Sequence, residues 1–328
     1  MYSDFVVCGG LCAVLQDNQA LLLMFKVLAI IAYDGSAFAG FAPQTRNFAR
    51  KDMSALGVSD KIALVLQSIG AVRESVDSNK NAESTHKSEF CIDTNATQLG
   101  FIKSKQPIKG QISLLSAGRT DKGVHSRNMP ICFYLPQRRD LVRLREILNA
   151  KLYPHIFCKS LRFVAQDFHP RFLALSRTYC YIASKTAPNP FFARFVAWED
   201  YGEIARVKEA LGYFKGTHDF KLFCKGNLDG KSSVREIFKV HCKEISGNLA
   251  KRAGFQSNQL LIVRICAQSF LRAQVRLMLG AVFAYGRREM SLEALRAQID
   301  VKILDSKIPI YRVPVSPNGL YFENAKYK

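Results

Sequence analysis

Strand-like and helix-like segments follow one another along this 328-residue chain without regular alternation, and that order constrains its fold most. Regular alternation would announce a parallel, doubly wound sheet, and a period of about 20–50 residues would announce a solenoid or propeller. Neither pattern is present, so the chain reads as α+β with antiparallel sheets, in two halves meeting near residue 167. Phe25 to Tyr33 is a buried strand: apolar almost throughout, interrupted by Lys26 and closed by the turn Asp34-Gly35-Ser36. Ile131–Leu135, Ile156–Val164, Phe172–Ala183, Val234–His241, Leu260–Cys266 and Leu320–Phe322 read as further strands, with a short piece at Ile112–Leu115.

Four helices are expected between them. The first carries Ile62, Val65, Leu66 and Ile69 at 3-4 spacing behind an N-cap at Ser59 or Asp60. Arg138–Ala150 is basic and amphipathic, with Leu141, Leu144, Ile147 and Leu148 on its apolar side. Tyr201–Lys215 and the strongly apolar Ser269–Tyr285 complete the set, the last ending in Gly286-Arg287-Arg288. Residues 73–110 are polar with little periodicity and read as a surface insertion. Residues 1–23 read as an N-terminal extension, with Met24 an alternative start. The apolar stretch from Ala20 is too short to span a bilayer, and Asp4 and Asp17 stand where a signal peptide would be basic.

Charge narrows the function. The 47 Lys and Arg against 27 Asp and Glu leave +20, which favours a polyanionic partner and disfavours a scaffold for acidic ones. Nine scattered cysteines without a CxxC pair exclude a disulfide framework or a cysteine zinc site, and point to a reducing, cytoplasmic setting.

Chemistry concentrates in Ser116-Ala117-Gly118-Arg119-Thr120-Asp121-Lys122-Gly123-Val124-His125-Ser126. A carboxylate between Arg119 and Lys122 stays ionised, as a nucleophile or electrostatic stabiliser must, and the glycines permit unusual backbone angles and close approach of a ligand. Local composition also allows the plainer reading, in which Asp121 pairs with Arg119 to stabilise a turn. Asp121 and His125 would share a metal only on a helix, which the glycines oppose, so no metal site is expected.

This segment resembles the GRTDxGVHA signature of the tRNA pseudouridine synthase A family. Further likenesses follow in the family's order: Ala32–Phe41 resembles its opening strand and turn, Leu148–Leu152 its LNAxLP segment, Asp167–Phe172 its DFHARF segment and Arg177–Tyr181 its RxYxY strand. His218-Asp219-Phe220, Phe270–Gly280 with Val275-Arg276, and Gly319–Phe322 complete the series. The resemblance implies two α/β domains, 24–167 and 168–328, meeting at a central basic cleft. It also implies isomerisation of uridine to pseudouridine in the anticodon arm of tRNA at positions 38–40, by a cytoplasmic homodimer without cofactor or membrane contact.

By the same resemblance Asp121 is the nucleophile, Tyr179 the active-site tyrosine and Arg276 the arginine that pairs with the nucleophile. Arg119, His125, His169, Arg171 and Gln44 are expected on the substrate side. Between Arg119 and Arg177, 12 Lys and Arg face 4 Asp and Glu, a surplus suited to a groove that tracks RNA phosphates. The chain departs from the family at Gly40-Phe41-Ala42-Pro43-Gln44, where Gly-Trp-Gln-x-Gln is usual. It departs again at Phe270–Gln274, and in the length of 73–110. A synthase of the same fold acting on another RNA and a catalytically idle RNA-binding protein are the rival readings.

Overall fold

The structure is a computed structural model that describes residues 24–44, 56–71, 112, 114–226, 230–245, 260–301 and 310–328. The expected extension 1–23 and insertion 73–110 lie outside the described residues, as do Cys8, Cys12 and Cys91.

Strand β1 (Phe25–Tyr33) pairs antiparallel on one side with β3 (His125–Leu135) and on the other with β4 (Ile156–Phe163). Val27, Ala29, Ile31 and Tyr33 point into the main core, while Leu28 packs with Cys132 and Leu115 on the opposite face. Both faces are covered, which is why the segment reads as a continuous apolar run rather than an alternating one. Lys26 is buried within it; its Nζ donates to the Gln166 carbonyl at 2.6 Å and lies over the Tyr134 ring.

Ten strands join one sheet in the order β4-β1-β3-β10-β5-β9-β8-β7, with β2 (Leu115–Ser116) on β3 and β6 (Ala197–Trp198) on β5. The remaining strands are β5 (Ser176–Ser184), β7 (Gly216–Asp219), β8 (Val234–Ile245), β9 (Leu260–Ala267) and β10 (Leu320–Lys326). All pairings are antiparallel except β3–β10 and β5–β6. Strand β10 therefore lies mid-sheet, between strands of the first half and strands of the second.

Helix α1 (Val58–Ser68) starts at Gly57 rather than at Ser59 or Asp60. Asp60 instead reaches back from the first turn, accepting the backbone N–H of Gly57 at 2.8 Å and of Gln44 at 2.9 Å. In α2 (Leu141–Leu152), capped by Asp140, the buried line is Leu144, Leu148 and Leu152. Ile147, expected on that face, is exposed. Helix α3 (Ile204–Gly212) is shorter than Tyr201–Lys215, and α5 (Leu292–Ile299) has no counterpart among the expected helices.

Helix α4 (Gln274–Gly286) begins five residues later than Ser269. Residues 269–273 form an irregular segment closing on Ala273 in the left-handed region, φ 59°. Every residue of α4 is buried except Arg276. An all-round apolar helix belongs in the interior, and its one exception faces the site.

Candidate active site

The loop of residues 117–124 leaves β2 and enters β3, and backbone contacts fix it from several sides. Ala117 N–H donates to the Pro130 carbonyl, Phe41 N–H donates to the Thr120 carbonyl, and Val124 N–H closes a turn on the Asp121 carbonyl. The Tyr33 and Thr120 hydroxyls are hydrogen bonded at 2.9 Å. Gly123 has φ +81°, and a Cβ there would lie 2.9 Å from the Pro317 ring. Gly118 has no such constraint: an added Cβ would only touch the Phe322 ring at 3.5 Å and the Tyr179 hydroxyl at 4.0 Å. Its missing side chain leaves room on the Tyr179 side of the loop.

This framework presents Asp121 with its side chain 31% exposed, 3.7 Å from Nη1 of the largely buried Arg276. That separation is an ion pair but is too long for a hydrogen bond, and no described residue hydrogen-bonds the carboxylate oxygens. Arg276 is itself clamped: its Nε donates to the Val315 carbonyl at 2.8 Å, and its own carbonyl accepts the Val315 N–H.

Tyr179 lies on β5, wedged edge-on between Phe270 and Phe322 at 5.1 and 5.4 Å between ring centroids. Burial, then the Asp121 charge, push its phenol well above the usual range against the opposing pull of Arg177. The hydroxyl is therefore a proton donor at neutral pH. It makes no hydrogen bond to any described residue.

Arg119 and Lys122 are exposed on either side of Asp121. The other expected substrate-side residues differ in position. His125 is 1% exposed and faces protein on all sides. Its Nδ1 meets Gly35 N–H at 3.1 Å and the Asp34 carboxylate at 3.3 Å, its Nε2 meets the Arg194 and Asn318 carbonyls, and its ring stacks on Tyr321. It braces the loop from behind. Burial pushes the Asp34 carboxyl up, but hydrogen bonds from His125 and Ser36 outweigh that and hold it below the usual range.

His169 accepts the N–H groups of Arg171 and Phe172 on Nδ1, at 3.1 and 3.3 Å, and so shapes its own turn. Arg171 is exposed, with its guanidinium over the Phe172 ring. Gln44 donates from its side chain to the Ala42 carbonyl, on the segment that docks against Thr120. Residues outside the expected set complete the site: Phe270 and Phe322 fix Tyr179, and Arg177 donates to the Ala117 carbonyl. Arg177 was legible as the residue two before Tyr179 on a strand, hence on the same face.

A family model described as tRNA pseudouridine synthase matches residues 210–328. The chain is 37% identical over 305 residues to a tRNA pseudouridine synthase A of Helicobacter hepaticus, covering 92% of this chain and 98% of that protein. It is 31% identical over 299 residues to the proteins of that name from Helicobacter pylori and Helicobacter acinonychis, covering 91% of this chain and 98% of each. The chain belongs to the tRNA pseudouridine synthase A family.

Proposed function

We propose that this protein isomerises uridine to pseudouridine in the anticodon arm of tRNA, at positions 38–40, with Asp121 as the nucleophile. The N1–C1′ bond breaks, the uracil turns, a C5–C1′ bond forms, and the C5 hydrogen leaves as a proton while N1 gains one. No atom is lost and no electrons change hands, so the residues above supply what the reaction needs. The observation that carries this reading is the Asp121 carboxylate, hydrogen bonded by no described residue, paired with a clamped, largely buried arginine and near enough to Tyr179 for its charge to push that phenol up.

The target base must leave its stack to reach Asp121. Arg119, exposed beside the nucleophile, is suited to fill the vacated space or grip a phosphate, and Arg171 and Gln44 are assigned to the substrate side with it. Tyr179 offers a fixed ring against the base and a protonated hydroxyl that can donate a hydrogen bond to a uracil carbonyl, while the proton leaving C5 passes to solvent. His125 and His169 support the reading as residues that shape the walls. Division of the chain into domains 24–167 and 168–328 belongs to the same proposal, as do the cytoplasmic setting and the homodimer. Asp121 would come from the first domain, and Tyr179 and Arg276 from the second.

Tritium release from tRNA labelled at uridine C5 tests this, because forming the C5–C1′ bond expels that hydrogen. Wild type is expected to release tritium, and Asp121→Asn to release none while still binding tRNA. Absence of release from wild type with binding intact would overturn the reading in favour of another RNA or a binding protein. Release from Asp121→Asn would remove the nucleophile assignment.

A further inference from the structure

Arg177 is a buried cation without a counter-ion among the described residues. It is 8% exposed, and its hydrogen bonds to described residues go to backbone carbonyls. Nε donates to Ala117 at 2.8 Å, Nη1 donates to Gln268 at 2.5 Å, and Nη2 donates to Arg171. Burial pushes its guanidinium down, with the nearby Tyr327 and Tyr179 hydroxyls opposing. Withdrawing a charge from water costs several kcal/mol unless strong hydrogen bonds offset it. Here the offset comes from three backbone carbonyls, so the charge is held by the loops it joins.

The three carbonyls share one property. Ala117 opens the loop that carries Arg119 and Asp121. Gln268 opens the irregular segment that carries Phe270 against Tyr179 and leads into Arg276 on α4. Arg171 lies in the turn that His169 shapes. These segments come from three distant parts of the chain, and one planar fork fixes their relative positions. Arg177 and Tyr179 stand two residues apart on β5 and so project from the same face, Tyr181 following them. Tyr181 continues the stripe by donating to the Ser316 carbonyl at 3.1 Å, next to the Val315 carbonyl that clamps Arg276.

We propose that Arg177 is a positioning residue that sets the separation of Asp121, Tyr179 and Arg276 by tying their three segments together. The inference rests on the reading of the site given above. A lysine keeps the charge but lacks the rigid fork that reaches three carbonyls at once, so Arg177→Lys is the informative variant and Arg177→Ala its companion. The readouts are tRNA affinity by filter binding, the single-turnover rate of tritium release, and the folded fraction by circular dichroism.

Both variants are expected to bind tRNA within about threefold of wild type and to lose about 100-fold in single-turnover rate, the scale of a misplacement near 1 Å. Low-millimolar guanidinium is expected to restore Arg177→Ala and not Asp121→Asn. A residue that merely loosened the fold would lower the folded fraction and show no such rescue. Wild-type rate in Arg177→Lys, or loss in Arg177→Ala that tracks the folded fraction without rescue, overturns the proposal. Asp121→Asn run alongside separates the failures: if it releases tritium, the site assignment is wrong. If it is silent while Arg177→Lys is normal, only the positioning role falls.

Discussion

At the scale of single residues the site is built by restraining charges. Arg276 could have capped the Asp121 carboxylate with a short hydrogen bond; instead its Nε is spent on Val315 and its Nη1 stops 3.7 Å away. The nucleophile keeps its lone pairs, and the cation stays where charge must be balanced. His169 shows the same economy in the opposite sense. Burial, then the cations of Lys26 and Arg171, push its imidazole down to about 4 from an ordinary 6.5, and the bare Nδ1 accepts two backbone N–H groups. Between those two values the unfolded chain holds the proton that the folded chain refuses. Its contribution to stability is therefore complete above about pH 6.5 and is lost as pH falls towards 4. Urea unfolding at pH 7, 5.5 and 4.5 is expected to show a shallower loss in His169→Asn, which keeps an acceptor in place of Nδ1 and does not titrate. Parallel curves for the two proteins would show that His169 does not carry the effect.

At the scale of elements, α4 determines where the cation sits, and its packing is tight enough to reverse an ordinary rule. Glycine inside a helix normally costs about 1 kcal/mol relative to alanine. At Gly280 an added Cβ would lie 2.0 Å from the Val313 carbonyl oxygen, so backbone must move on one side or the other. Gly280→Ala is expected to destabilise by about 1–3 kcal/mol, the usual scale of overpacking, and to slow tritium release by shifting Val315 and hence Arg276. Gly212→Ala in α3 is the control: nothing lies within 4 Å of its Cβ position, and a gain of about 0.5–1 kcal/mol is expected. Urea midpoints at constant m check both. Legibility followed the same physics. Strand β1 could be read to the residue because burial on both faces leaves an unbroken apolar run. The start of α4 was misread because Phe270, Leu271 and Ala273 are as apolar as the helix they precede, although Phe270 packs on Tyr179 instead. Strand β3 begins six residues earlier than expected, at polar His125 and Ser126, because their partners are a partly buried carboxylate and backbone carbonyls. Asp121, Tyr179 and Arg276 were legible through motifs. Arg177 was legible as a motif residue on the face of Tyr179, but its partners were not, since nothing in its neighbours reveals that distant carbonyls will meet it.

At the scale of the whole molecule, the site depends on β10 (Leu320–Lys326), a strand far in sequence from both of its neighbours. Strands β4, β1 and β3 come from the first half and β5, β9, β8 and β7 from the second, and β10 is the strand between them. It pairs parallel with β3 at Tyr321 and Phe322 and antiparallel with β5 along Leu320–Lys326. Asp121 stands on one side of this joint, and Tyr179 and Arg276 on the other. Phe322, fully buried, fills the joint and supports the Tyr179 ring. Without β10 both β3 and β5 would expose an unpaired edge and the two parts of the site would lose their common frame. A chain ending after Ser316 is therefore expected to aggregate or to lose cooperative unfolding, whereas removal of Lys328 alone leaves the joint intact and should change neither. Phe322→Ala keeps the backbone pairing and isolates the side chain. Its expected cost is about 3–5 kcal/mol, with a fall in the single-turnover rate of the folded fraction as Tyr179 loses one of its two edge contacts. If Phe322→Ala lowered stability but left that rate at the wild-type value, β10 would be a structural seam only, and the alignment of Tyr179 with Asp121 would have to come from β5 and the loop alone.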